Sequence, residues 1–268
     1  MPNFTSGDGV RLHYEDEGDG RPVVLPAGFC APLESWELQR RELAAAGYRV
    51  IGFDRRSHGR SESPAYGQRM SRHGADLHDL LVELDLRDAV LVGGSQGASA
   101  VWAYYDLFGP ARIGAVVSID QTPRMVNGDG WEHGFYGLTK ENVGTFFADG
   151  VPDTGRGLRQ PRTAGFARIV ELLGGAPAFA DPGTPERRAL LQSHAEADWR
   201  DVIARMEVPN LLIAGRDSQL WPCEHAAAVA ATNPLSSVVT LEDCGHAANL
   251  DQPEATNAAI LEFLAARP

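Results

Sequence analysis

Ser95 is the residue of this chain with the clearest chemical potential. A serine hydroxyl is a poor nucleophile until a base takes its proton and an acid orients the base. Ser95 stands in Gly93-Gly94-Ser95-Gln96-Gly97, after the apolar run Ala89-Val90-Leu91-Val92 and before a helix-like stretch from Ala98 to Leu107. That order predicts a strand, a tight turn with the serine at its apex, and a helix. A serine on such a turn has strained backbone angles, so its neighbours need to be nearly free of side chain. Gly93 and Gly97 give that room, and Gly94 adds slack. A helix starting at Gln96 aims free N–H groups at any anion formed near Ser95.

The base expected to serve Ser95 is His246, in Cys244-Gly245-His246-Ala247-Ala248, a loop between the last predicted strand and the last predicted helix. His13, His73, His78, His133, His194 and His225 read as surface or core residues. Two carboxylates can orient the base. Asp120 follows the apolar strand Ile113 to Ile119, and Asp217 lies in the loop Gly215-Arg216-Asp217-Ser218-Gln219-Leu220-Trp221-Pro222. Both precede His246, and the residues alone leave the choice between them open. A tetrahedral oxyanion needs two backbone N–H donors. Gln96 supplies one, and Phe29 in Pro26-Ala27-Gly28-Phe29-Cys30 supplies the other, with Gly28 permitting close approach. Cys30 reads as a packing residue. The charged turn Asp54-Arg55-Arg56-Ser57-His58-Gly59-Arg60-Ser61 reads as structural, its Asp54 and serines bonding the turn backbone.

The elements that position these residues alternate. Strands are predicted at Val10 to Tyr14, Val23 to Leu25, Tyr48 to Phe53, Ala89 to Val92, Ile113 to Ile119, Asn210 to Ala214 and Ser237 to Leu241. Helices are predicted over Leu33 to Ala46, Met70 to Leu84, Ala98 to Leu107, Glu224 to Ala231 and Glu254 to Leu264. Such alternation implies an α/β fold, a mostly parallel sheet covered by helices on both faces. The rhythm breaks over 121–198, a segment rich in glycine, proline and aromatic residues. It is expected to be a cap inserted at the carboxyl ends of the strands, leaving 1–120 and 199–268 as the core. Trp131, Phe135 and Tyr136 are its expected substrate-binding residues.

The 268 residues are 43% hydrophobic, enough for one large α/β domain. A net charge of −12 argues against nucleic acid or an anionic membrane as partner. No apolar run approaches the ~18 residues that span a bilayer, and the N-terminus has no signal pattern. Three scattered cysteines, Cys30, Cys223 and Cys244, read as reduced thiols in a cytoplasmic protein. No C-x-x-C or H-x-x-x-H spacing is present, so neither a metal nor another cofactor is expected. The oligomeric state is not legible, and a homodimer stays open.

Together these residues resemble the α/β-hydrolase superfamily, over almost the whole chain outside 121–198. The turn from Asp54 to Ser61 is similar to that family's D-x-R-G-x-G-x-S, with Ser57 for the glycine. Gly245-His246 with Leu250-Asp251-Gln252-Pro253-Glu254 is similar to its G-H-x-x-x-L-E-x-P-E ending. The resemblance implies an eight-stranded sheet and the chain order serine, acid, histidine. It also brings two departures into view. The family's usual H-G before the oxyanion donor is Ala27-Gly28 here. Its usual acid position, from G-x-x-D-x-x-x-P, falls on Ser218, with Asp217 one residue early. Both departures resemble a branch that includes the fungal zearalenone lactone hydrolases, which also carry S-Q-G-A-S, as in Ser95-Gln96-Gly97-Ala98-Ser99. That branch places the acid after the strand following the nucleophile helix, which implies Asp120. Haloalkane dehalogenases share that placement but use an aspartate nucleophile, so Ser95 argues against their chemistry.

The expected function is a cofactor-free serine esterase or lactonase acting on a small hydrophobic substrate. The alternatives are a cofactor-free perhydrolase of the haloperoxidase type, using the same residues with peroxide in place of water, and a hydrolase-like ligand receptor.

Overall fold

The computed structural model describes residues 2–158 and 164–266. Eight strands build one sheet: β1 (Asn3–Thr5), β2 (Arg11–Glu17), β3 (Pro22–Pro26), β4 (Arg49–Phe53), β5 (Ala89–Gly94), β6 (Ile113–Ile119), β7 (Asn210–Gly215) and β8 (Ser236–Leu241). Their spatial order is β1-β2-β4-β3-β5-β6-β7-β8. β2 runs antiparallel to both neighbours, and every other pairing is parallel. The helices are α1 (Glu37–Ala45), α2 (Met70–Glu83), α3 (Gln96–Phe108), α4 (Ala164–Leu173), α5 (Pro185–Glu196), α6 (Arg200–Ala204), α7 (Glu224–Ala230), α8 (Ala248–Asp251) and α9 (Pro253–Ala265). The mostly parallel, eight-stranded α/β architecture expected from the sequence is the one the chain adopts. None of the described helices is long and apolar enough to cross a membrane.

Alternation along the strands divides the core in two. Val24, Ile51, Leu91, Val116 and Leu212 face α2 and α3, joining Leu77, Leu80, Val101 and Trp102. Their neighbours Val23, Val50, Val90, Val117 and Ile213 face α1 and α9, joining Leu43, Ile260 and Phe263. Buried on both sides, these strands read as continuous apolar runs, as a covered parallel sheet requires.

Helix α1 starts later than its sequence pattern suggests. Leu33–Trp36 forms a tighter 3-10 turn, held by the Asp54 carboxylate, which accepts the Leu33 N–H at 2.7 Å. The turn sets the indole of Trp36 against the end of β5, where a methyl group on Gly94 would come within 3.1 Å of it.

The chain visits β3, crosses to β4, then returns past β3 to β5. The connections therefore diverge in opposite directions from the carboxyl ends of β3 and β5, leaving a crevice there of the kind in which α/β sheets bind ligands. Segment 121–198 leaves after β6 and returns before α6, and its ends meet. The Trp199 N–H donates to the Pro123 carbonyl at 2.9 Å, and Arg124 pairs with Asp198. Its apolar residues, including Met125, Phe135, Phe147 and Leu191, pack with Phe29 and Trp221 from the core loops.

Candidate active site

Ser95 caps α3 immediately after β5, with φ 51° and ψ −131°. A positive φ at a residue with a Cβ is strained and persists only where the surroundings impose it. Here the Ser95 N–H is pinned to the Ile119 carbonyl at 2.9 Å. The flanking glycines are dictated by contact: a Cβ on Gly93 would lie 2.4 Å from the Ala98 nitrogen, and one on Gly97 would lie 2.2 Å from the Pro26 carbonyl oxygen. Oxyanion loop and elbow are therefore packed backbone to backbone.

His246 stands in the loop between β8 and α8. Its Nε2 lies 2.9 Å from Ser95 Oγ and its Nδ1 lies 2.7 Å from Asp120 Oδ2. Two groups hold the residue in place. Its backbone N–H donates to Gln219 Oε1 at 2.8 Å, and Trp221 meets the imidazole edge to face, with ring centroids 5.1 Å apart.

Asp120 is fully buried at the end of β6, with a positive φ of 41°. Its backbone N–H donates to the Ile213 carbonyl at 2.7 Å. Oδ1 accepts the Gly215 N–H at 3.0 Å, and Oδ2 accepts the Ser218 hydroxyl at 2.7 Å. His225 Nε2 stands 4.0 Å from Oδ1. Burial on its own would raise the Asp120 pKa, but the imidazoles of His225 and His246 outweigh it and hold the carboxyl at about 2. Asp217 is placed otherwise. Its backbone N–H donates to the Cys244 carbonyl at 2.8 Å and its own carbonyl accepts from Leu158 at 3.0 Å. The side chain that turns to the buried carboxylate is that of Ser218, the next residue.

The two expected oxyanion donors flank the crevice. Gln96 opens α3, and Phe29 follows Gly28 in the β3 loop. Gly28 approaches so closely that a methyl group there would sit 3.4 Å from Ser95 Cβ. Arg55 braces this arrangement. Its buried guanidinium donates to the carbonyls of Ala27 at 2.7 Å and Gly28 at 2.9 Å, and to Gln96 Oε1 at 2.9 Å. The turn that supplies it follows β4, and bracing the two loops is a structural role of the kind expected for it. Asp54 holds that turn by accepting from Leu33 and Arg60, and burial pushes its carboxyl up to about 6. Cys30 lies beside the loop with its thiol pushed up by burial to about 11, so it is a neutral packing group at physiological pH.

A cavity of about 610 Å³ opens on Ser95 and His246. Of the aromatic residues expected to bind substrate, Phe135 lines it and Trp131 and Tyr136 do not. Trp131 folds back toward the sheet. It pairs with Gly128 across a tight turn, donates its indole N–H to the Arg124 carbonyl at 2.9 Å and packs with the α2–α3 half of the core. Tyr136 lies in the turn that follows Phe135, and the Arg156 guanidinium lies 4.4 Å from its ring centre. In their place stand Trp36 and Trp221, and from segment 121–198 Met125, Phe147 and His194. Trp36 and Trp221 follow the oxyanion loop and the Ser218 loop by a few residues each, a proximity that could have flagged them. Among the described residues, no group of three or more His, Cys, Asp or Glu is arranged to hold a metal ion.

Residues 21–253 match the family described as the alpha/beta hydrolase fold. The chain belongs to that family. It is 29% identical to a non-heme haloperoxidase of Rhodococcus erythropolis over 87% of each chain. It is 26% identical to the bifunctional esterase/perhydrolase DCH of Acinetobacter calcoaceticus over 84% of each. Among solved structures, the bromoperoxidase from Bacillus anthracis superposes with a TM-score of 0.81 at 28% identity, covering 98% of this chain and 99% of that one.

Proposed function

We propose that this protein is a serine hydrolase that cleaves a carboxylic ester or lactone through an acyl-enzyme, with Ser95, His246 and Asp120 as its catalytic triad. One observation carries the reading: His246 bridges Ser95 Oγ at 2.9 Å and the buried Asp120 carboxylate at 2.7 Å. In this scheme Ser95 Oγ attacks the carbonyl carbon as its proton passes to His246 Nε2. Asp120 fixes the imidazole through Nδ1 and stabilises the imidazolium. The oxyanion is received by the N–H groups of Gln96 and Phe29. Each such donor contributes on the order of a hundredfold or more in rate. His246 returns the proton to the departing alcohol, then activates water against the acyl-enzyme. The largely apolar cavity suits a hydrophobic acyl or ring portion.

A second reading differs only in the acyl acceptor. The relatives named as haloperoxidases and as an esterase/perhydrolase favour hydrogen peroxide competing with water at the same acyl-enzyme, with a peracid as product. Covalent labelling by a fluorophosphonate tests the shared part: stoichiometric labelling of Ser95, abolished in Ser95→Ala, is expected, and an unlabelled serine defeats both readings. Peracid formation from acetate and peroxide separates the two. A ligand receptor, by contrast, would bind esters without turning them over.

A further inference from the structure

His194 lies in the last turn of α5, on the side of the cavity that the insertion contributes. Its neighbours on that wall include the apolar Met125, Phe135, Phe147 and Leu191, and the polar Asp153, which accepts the Gly155 N–H at 2.8 Å. The residue is 5% exposed, and among the described residues neither ring nitrogen has a hydrogen-bond partner. Nδ1 is sealed from solvent, which leaves Nε2 as the ring nitrogen available to the cavity. A buried polar group without a partner costs free energy that a ligand able to pair with it recovers. Other polar residues of the cavity wall are already engaged. Asn249 donates to the Ser35 carbonyl, and Gln219 holds the His246 backbone.

Burial, together with the charges of Arg55 and His246, pushes the His194 imidazole down to about 3. It is therefore neutral near pH 7 and offers no charge to a carboxylate. A neutral imidazole carries one donor and one acceptor, and a hydroxyl, which both donates and accepts, meets either tautomer.

Resting on the serine-hydrolase reading for the identity of the bond cleaved, we propose that His194 is the specificity-determining contact of this site. It hydrogen-bonds a neutral oxygen, a hydroxyl above all, carried by the substrate away from the scissile carbonyl. The preferred substrates are then hydroxylated aryl or alicyclic esters and lactones, and plain hydrocarbon analogues are the poorer ligands. A site built to bond such a group discriminates against the analogue that lacks it, because its own polar atom is then left unpaired.

The test uses methyl phenylpropanoate and its ortho-, meta- and para-hydroxyl derivatives, in which the hydroxyl is remote from the ester. Calorimetric binding to Ser95→Ala removes any dependence on turnover. At least one hydroxylated ester is expected to bind about tenfold or more tightly than the parent. His194→Leu in that background should erase the preference, and His194→Gln, which keeps a neutral donor and acceptor, should retain part of it. In the Ser95-bearing protein the same preference should appear in kcat/KM. Equal binding of all four esters overturns the proposal, as does a hydroxyl preference that survives in His194→Leu. Fluorophosphonate labelling of Ser95 in parallel keeps the two ideas apart: absent labelling defeats the hydrolase reading and leaves the binding result to decide the role of His194.

Discussion

Ser218 Oγ donates a 2.7 Å hydrogen bond to Asp120 Oδ2, the oxygen that also lies 2.7 Å from His246 Nδ1. Position 218 thus adjoins the proposed acid without supplying it, and a carboxylate there would stand beside the same imidazole. Asp120→Asn is expected to lower kcat/KM on the order of ten-thousandfold, while Asp217→Asn leaves it unchanged. Adding Ser218→Asp to Asp120→Asn should recover at least about tenfold of the loss by restoring a carboxylate to His246. Steady-state kinetics of the four proteins decides this. A large loss in Asp217→Asn would show that the acid had been misplaced.

Arg55 joins the carbonyls of Ala27 and Gly28 to the side chain of Gln96, so one guanidinium ties together the two loops that carry the proposed oxyanion donors. Lysine keeps the charge but loses the planar fork. Arg55→Lys should reduce kcat by roughly a hundredfold, with the rate of fluorophosphonate labelling falling in parallel, because both reactions build charge on the same oxygen. Unchanged labelling with retained circular dichroism would contradict the bracing role.

The Asp120 carboxyl is depressed to about 2. With a folded pKa below the ordinary value, its charge and the stability it contributes are fully present above about pH 4. They are lost only as the pH falls through that value toward 2. Between about pH 4 and 9, then, Asp120 does not titrate, and the acid limb of kcat/KM should fall with a slope of one, set by the base alone. A slope of two would mean that the acid takes up a proton in the working range.

Cys30 lies beside the oxyanion loop, but its thiol is held near 11 by burial. Iodoacetamide at neutral pH should leave native Cys30 unmodified and activity intact, as read by mass spectrometry and ester turnover. Cys30→Ala should retain activity within about twofold, as a packing change beside a preserved backbone would allow. Rapid alkylation with loss of turnover would contradict the packing role.

The site's skeleton was legible because its constraints act within a few residues. Gly93 and Gly97 are required by atoms two or three Å away, and such needs are written locally. The choice between Asp120 and Asp217 was open on the residues alone, and Asp120 came from the resemblance to a branch that places its acid after the strand following the nucleophile helix. The cavity wall was not legible. Aromatic content marked 121–198 as a pocket former, but which ring faces inward depends on how an irregular chain turns. Trp131 folds onto the core through the Gly128 turn, and Tyr136, in the turn after Phe135, meets Arg156 instead of the cavity. His194 and His225 carried no signal at all, since a histidine beside an acid or a cavity reads the same as one in the core. The late start of α1 was hidden for a related reason, because the carboxylate that reshapes its first turn, Asp54, arrives from a strand 21 residues away.

The meeting of Pro123 with Trp199 bears on how such a protein changes over generations. A segment whose two ends already touch can be lengthened, shortened or exchanged wholesale without opening a gap in the scaffold. Ser95, Asp120 and His246 all lie outside it, whereas His194 and part of the apolar wall, including Met125, Phe135, Phe147 and Leu191, lie within it. Selection can therefore revise part of what this pocket accepts by editing one contiguous stretch of gene, leaving the proposed triad untouched.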